Sequence, residues 1–217
     1  MKKEEIITII EEYVKNICQN DVTGHDWWHI KRVYHNAMCI NKQENADAFI
    51  LTLIVLLHDV YDHKFYNGNM EEKLVETLKE LNIYAYIPQE DIENIVYSCA
   101  NLGFSANMKE KKELSLEGKI VQDADRLDSI GAIGIARTFA YGGKKGRQIY
   151  DPNNHAIVNE KEYKEKGSRT TISHFYDKLL KIKDLMNTET AKIIAEERHQ
   201  YLEAFLQEFL DEWNGKK

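Results

Sequence analysis

Proline is almost missing from this chain, with two in 217 residues, and glycine is scarce at eleven. A proline breaks a helix interior and a glycine weakens one, so their rarity leaves room for long uninterrupted helices. Cysteine is equally sparse. Cys18, Cys39 and Cys99 are widely spaced, odd in number and form no CxxC pair, which argues against a disulfide framework. Each is expected to be a small buried apolar residue in a reducing compartment. No apolar run approaches the ~20 residues that a membrane span needs, and the stretch MKKEEIITIIEEY carries acids where a signal peptide stays apolar. The expectation is a soluble, cytoplasmic protein with no membrane partner. A basic excess is also lacking: 29 Lys and Arg stand against 36 Asp and Glu, for a net charge of −7. A surface that tracks nucleic-acid phosphates needs the opposite balance, so nucleic acid is disfavoured as a partner. A small anionic substrate is not, because a metal or a few cationic side chains reverses the potential inside a cleft.

What the chain does contain is helical periodicity. Apolar residues make up 43% and charged residues 30% of a length suited to one domain with its own core. Ile6, Ile9, Ile10, Tyr13, Val14 and Ile17 form a stripe at three- and four-residue spacings, which predicts an amphipathic helix over the first 19 residues. A second helix is expected from His29 to about Gln43. A third, Ala46 to Leu57, is apolar almost throughout and reads as a central buried helix. Others follow from Glu71 to Leu81 and from Pro88, with Asp91 in the first turn. One long helix is predicted to carry IVQDADRLDSIGAIGIARTFAYG to a stop at Gly142-Gly143, and two more cover roughly 171–186 and 188–213, the last capped by Asn187 or Thr188. Residues 142–169 form the one long stretch without a clear period, a length that usually marks a functional or disordered loop. The fold class is therefore all-α, a helical bundle.

Four residues stand apart chemically. His29 opens a helix within HDWWHIKRV, His58 and Asp59 end the most apolar helix in the chain, and Asp125 lies in the acidic cluster QDADRLD. An adjacent His-Asp after ten nearly continuous apolar residues puts two costly groups at the edge of the core. Such groups are tolerated chiefly when paired or bound to metal. Two imidazoles and two carboxylates make a mixed nitrogen and oxygen set suited to Mn²⁺, Fe²⁺, Co²⁺, Ni²⁺ or Zn²⁺, with positions left for water and substrate.

In order and in separation, GHDWWHIKRV, LLHDVYDHKF and QDADRLDSIGAIGIAR resemble the HD superfamily of metal-dependent phosphohydrolases. The likeness continues through YGGKKGRQIYDP and HFYDKLLKIKDLMNTETAKIIAEER, which together resemble the bacterial YedJ/YpgQ-type branch. It implies a single HD domain over 1–217, with a core at about 22–130 and a C-terminal helical extension at about 131–217. It further implies His29, His58, Asp59 and Asp125 as metal ligands, and Mn²⁺-supported hydrolysis of (deoxy)nucleoside triphosphates to monophosphate and pyrophosphate. Mg²⁺ joins the list of alternative ions. A 5′-nucleotidase, a phosphodiesterase or a non-catalytic nucleotide-binding regulator could use the same ligands. Two-metal HD proteins carry further histidines between the HD pair and the last aspartate; none occurs here between His63 and Asp125, which implies one metal per chain. The family's xADxL frame selects Asp125 as fourth ligand. Asp123, about 200° away around a helix, could not easily share its metal.

The remaining candidates each carry two readings. Asp62, four residues after His58, is placed to activate water as a general base, or caps a loop. Arg32, one turn after His29, contacts phosphate or pairs with an acid such as Asp128, which shares a face with Asp125. Lys64 binds phosphate or is solvated. Lys144, Lys145 and Arg147 form a glycine-flanked basic cluster that faces water or a triphosphate. His174 and Lys178, at i and i+4, resemble family positions near the pocket. His25 and Asp26 line a pocket mouth or cap the helix, and Trp27 and Trp28 are read as packing residues rather than a base-stacking platform.

Overall fold

The computed structural model describes residues 1–18, 26–61, 68–103, 112–153 and 168–217, and among them there is no strand. Cα packing divides the chain into two compact units, Met1–Asp125 and Arg126–Lys217. No helix is long and apolar enough to cross a membrane among the described residues.

The first unit holds α1 (Lys3–Cys18), α2 (Trp27–Glu44), α3 (Ala48–Leu57), α4 (Met70–Glu80), a 3-10 turn at Tyr84–Tyr86, α5 (Gln89–Asn101) and the start of α6 (Leu116–Asp128). Its centre is α3, where Asp47 caps the backbone N–H groups of Phe49 and Ile50 and nine consecutive residues, Phe49 to Leu57, are buried. Fully burying one such aliphatic side chain contributes roughly 1.5–3 kcal/mol, so α3 anchors whatever follows it. α1, α2 and α5 pack around it, and α4 packs on α5. Ile6, Ile10 and Val14 of α1 face this core, but Ile17 is 45% exposed; the stripe outlasts the surface it covers. Pro88 is the cap of α5 rather than its first residue, with Glu90 and Asp91 in the first turn. Cys18 and Cys99 are buried as expected, whereas Cys39 is exposed. The inward residues of α2 are His29, Ile30, Val33, Ala37 and Ile40, and position 39 points away from them.

The second unit begins within α6 and contains α7 (Gly131–Lys144), α8 (Ser173–Asp177), a 3-10 helix at Leu179–Leu185 and α9 (Glu189–Trp213). The single helix predicted through IVQDADRLDSIGAIGIAR is instead two. The chain turns at Ser129-Ile130, and Gly131 adopts φ +71°, a left-handed conformation that side chains resist, with the Arg198 side chain 3.1 Å from where a Cβ would stand. Arg198 also donates to the Leu127 carbonyl at 2.6 Å, so α9 holds the end of α6. Nor does α7 stop at Gly142-Gly143. It runs on to Lys144, and Gly146, with φ of +64°, closes the turn after it, where Arg147 N–H bonds the Gly142 carbonyl at 2.9 Å. The segment expected as one helix over 171–186 is split between α8 and the 3-10 helix. Thr188 caps α9, its hydroxyl accepting from Ala191 N–H at 3.3 Å. Phe139, Phe175 and Phe205 form the aromatic centre of this unit, with ring centroids 5.6–6.3 Å apart.

Candidate metal centre

Three helices of the first unit supply the site. Asp26 caps α2, its carboxylate accepting from His29 N–H at 2.9 Å, which sets His29 in the first turn with its side chain turned into the core. The end of α3 delivers His58 and Asp59, and α6 delivers Asp125. His29, His58 and Asp125 each offer one ligand atom, all within 4.8 Å of one another. Asp59 joins through Oδ2, 3.2 Å from His29 Nε2 and 3.6 Å from His58 Nε2, and Asp125 Oδ1 stands 3.4 Å from His29 Nε2. The two imidazole rings lie 5.4 Å apart, centroid to centroid. Ligand bonds of roughly 2.0–2.2 Å set neighbouring ligand atoms about 3–4.3 Å apart, and these separations suit such an ion.

The hydrogen-bond accounting points the same way. His58 Nδ1 lies 2.7 Å from the Val55 carbonyl, which can only accept, so Nδ1 carries the proton in the neutral ring. Nε2 then presents a lone pair. It is buried, makes no hydrogen bond among the described residues and faces a carboxylate oxygen. A lone pair set against an anion in a buried site calls for a cation between them. The exposures are graded: the His29 and His58 side chains are 1% and 3% exposed, Asp59 15% and Asp125 41%. Water and substrate therefore have access from the Asp125 side. Asp123, by contrast, is fully buried and outside the ligand group. Behind the site, burial pushes the Cys99 thiol well up, helped by the nearby Asp59 carboxylate, so Cys99 stays protonated and its Sγ sits 3.8 Å from the Ile54 carbonyl.

This arrangement can be set against known proteins. The HD-domain family profile matches residues 27–130. A Bacillus thuringiensis HD-superfamily hydrolase of known structure is 43% identical, with a TM-score of 0.75 over 98% of this chain and 99% of its own. The chain belongs to the HD-domain family. YpgQ of Bacillus subtilis is 36% identical over 209 residues, 96% of this chain and 94% of YpgQ. A crystal structure of YpgQ in complex with ADP superposes with a TM-score of 0.74 over 98% of this chain and 96% of that one. A Lactobacillus plantarum protein of known structure reaches a TM-score of 0.85 at 36% identity, covering 99% of this chain and 100% of its own. As an HD-domain hydrolase, the protein is a metal-dependent phosphohydrolase.

The other candidate residues of this HD-domain protein fall in three places. Arg32 is half-buried on α2, one turn beyond His29. Asp62, Lys64 and His25 lie outside the described residues. Lys144, Lys145, Arg147, His174 and Lys178 belong to the second unit. There, Thr171 and Ile172 N–H groups bond the Gln148 and Ile149 carbonyls at 2.9 Å each, which draws the strand of chain after Arg147 alongside the approach to α8. Arg147, His174 and Lys178 are thereby brought together, since Lys178 and Arg147 both act on the His174 ring. Burial first, then these two cations, pull the His174 pKa down to about 3. Ser168 Oγ holds its Nδ1 at 3.0 Å. Lys145 and Arg147 also stack over Tyr141, at 5.7 and 5.5 Å from its centroid. Asp128 is bound by Arg137 at 2.8 Å.

Sequence reasoning misplaced one aromatic. Trp27 is partly covered, with Lys15 and Lys31 at 4.7 and 5.5 Å from its ring, but Trp28 is 66% exposed rather than packed. Adjacent helical positions point 100° apart, and α2 turns only one of the two toward its neighbours. The residues that sequence reasoning missed are Tyr13, Tyr61 and Thr77, whose hydroxyls connect in series beside the HD pair. Isolated hydroxyls leave no periodic signal.

Proposed function

We propose that the protein is a nucleotide pyrophosphohydrolase, hydrolysing (deoxy)nucleoside triphosphates to the monophosphate and pyrophosphate. In this reading one divalent ion per chain, Mn²⁺ first, is held by His29, His58, Asp59 and Asp125. The observation that carries the metal assignment is the buried His58 Nε2 lone pair aimed at the Asp59 carboxylate. The crystal structure of YpgQ in complex with ADP supports a nucleotide as substrate.

When bound, a divalent cation supplies Lewis acidity: it offsets charge developing on a phosphoryl oxygen and makes water acidic enough to react at neutral pH. The chain's own residues do the rest. Asp62 takes the proton of the attacking water. Water adds at the α-phosphorus, the bond to the bridging oxygen of the β-phosphate breaks, and pyrophosphate leaves with that oxygen. Arg32, Lys64, Lys144, Lys145, Arg147 and Lys178 neutralise the remaining phosphate charge, with His174 as a neutral hydrogen-bonding group among them.

The test is a panel of nucleotides incubated with Mn²⁺, products resolved by chromatography. Monophosphate and pyrophosphate should appear in equal amounts from a triphosphate. Orthophosphate with a diphosphate intermediate, or activity confined to monophosphates or phosphodiesters, would replace this reading with a nucleotidase or phosphodiesterase.

A further inference from the structure

Asp59 lies inside the short turn 58–61, and the two ends of that turn are tied by different means. At the entry, the His58 ring is fixed on the Val55 carbonyl, Val60 N–H bonds the Leu57 carbonyl at 3.2 Å, and the Val60 side chain is buried. At the exit stands Tyr61, whose hydroxyl lies 2.6 Å from that of Tyr13 on α1 and 2.8 Å from that of Thr77 on α4.

Counting protons gives this chain of hydroxyls a direction. Thr77 Oγ1 lies 2.8 Å from the Lys73 carbonyl, which only accepts, so the single Thr77 hydroxyl proton is committed there. Tyr61 must therefore donate to Thr77. With its own proton so committed, Tyr61 can only accept from Tyr13. The series runs Tyr13 to Tyr61 to Thr77 to the Lys73 carbonyl, with the Thr77 hydroxyl also within reach of Tyr13, and each bond polarises the next. Burial pushes the Tyr13 phenol up to about 12, with the Tyr61 hydroxyl adding to it, so the first donor keeps its proton. The whole series lies in the first unit and ends in the backbone of a helix.

We propose that Tyr61 is a positioning residue for Asp59: held between Tyr13 and Thr77, it fixes the exit of the turn and so keeps the Asp59 carboxylate against the two imidazoles. Two residues of chain span at most about 7 Å, so an anchor at Tyr61 limits Asp59 directly. Groups that orient ligands from outside the coordination sphere are worth roughly 10- to 100-fold in metal affinity or activity. The inference rests on the metal reading above.

The experiment titrates metal-free protein with Co²⁺, following visible absorption, and measures Mn²⁺ affinity and nucleotide turnover beside it. Tyr61→Phe should weaken both ions about tenfold and alter the Co²⁺ spectrum. Its kcat should fall with KM unchanged. Tyr13→Phe leaves the Tyr61–Thr77 bond intact and should lie between that variant and wild type. Tyr84→Phe removes a phenol of another kind, one that donates to Gln89 at 2.8 Å on the surface, and should change nothing. If Tyr61→Phe does not fold, Thr77→Val severs the same link from α4 and should give the same spectral change. A wild-type Co²⁺ spectrum and affinity in Tyr61→Phe, or an equal loss in Tyr84→Phe, overturns the positioning role while the metal assignment stands. Retention of metal by His58→Ala overturns the assignment itself, and the positioning role with it.

Discussion

Two largely buried histidines sit in opposite electrical surroundings. His58, in the first unit, has one ring nitrogen tied to a carbonyl and the other turned toward a carboxylate. His174, in the second, has one nitrogen tied to a serine hydroxyl and stands near two cations. The same side chain is held neutral beside charges of opposite sign. Beside carboxylates, a neutral imidazole lone pair attracts a metal ion. Beside a lysine and an arginine, a neutral imidazole adds no charge of its own to those of the two cations. Residue type alone says little about a histidine's task, whereas the charges around it say a great deal.

The largest effect should come from breaking the first of these surroundings. His58→Ala and Asp59→Ala should each lose the metal and reduce turnover to background, while wild type carries one ion per chain by elemental analysis of purified protein. Two tightly bound ions per chain would defeat the single-metal reading. Next comes the separation of chemistry from binding at the same centre. Asp62→Asn keeps the shape and removes the base, so turnover should fall roughly 10²- to 10⁴-fold. Metal affinity and apparent substrate affinity should stay near wild type, because the lost interaction acts in the transition state. Full activity in that variant would refute the base.

Smaller changes probe the cations around the neutral His174. Arg147→Gln and Lys178→Gln should each raise KM for a triphosphate about 10- to 100-fold, the value of a lost charge-assisted hydrogen bond, with metal affinity unchanged. An unaltered KM in both would make this cluster a solvated surface rather than a phosphate site. The smallest effect is on stability. With its folded pKa at about 3 against an ordinary 6.5, His174 stays neutral in the native state while the unfolded chain takes up a proton. Stability from this residue is thus full above pH 6.5 and declines as pH falls toward 3, by at most about 1.4 kcal/mol per pH unit. His174→Gln should remove that slope. Denaturant titrations of wild type and variant between pH 7 and 4 should therefore converge or cross as pH falls; parallel curves would mean the ring is not held neutral.

Much of the first unit was legible in its residues. Nine buried positions in a row make α3 readable at sight, and the abrupt return of polarity at His58-Asp59 marks where this buried helix gives way to ionisable groups. The second unit read less well, because its turning points are set by backbone dihedrals. SIGAIGIAR has the composition of a helix, yet Gly131 takes a left-handed conformation with Arg198 packed over it. Nothing local distinguishes that glycine from Gly134 three residues on. Trp28 and Cys39 were misjudged for a related reason: apolar residues on a helix tell of burial only when the neighbouring elements are known.

By itself the sequence determined the helical class, the buried centre and the order in which histidines and acids arrive along the chain. These follow from local propensity, from period and from the cost of putting ionisable groups beside apolar ones. Only in three dimensions does a carboxylate of QDADRLD come to the histidines, where Asp125 Oδ1 lies 3.4 Å from His29 Nε2 while Asp123 is fully buried. The tertiary structure likewise decided that His58 keeps its proton on Nδ1, and that three hydroxyls from α1, the turn after α3, and α4 connect in series. Such facts depend on angles and distances between groups remote in the chain, and a hydrogen bond exists only when both partners have been brought within 3 Å or so of each other.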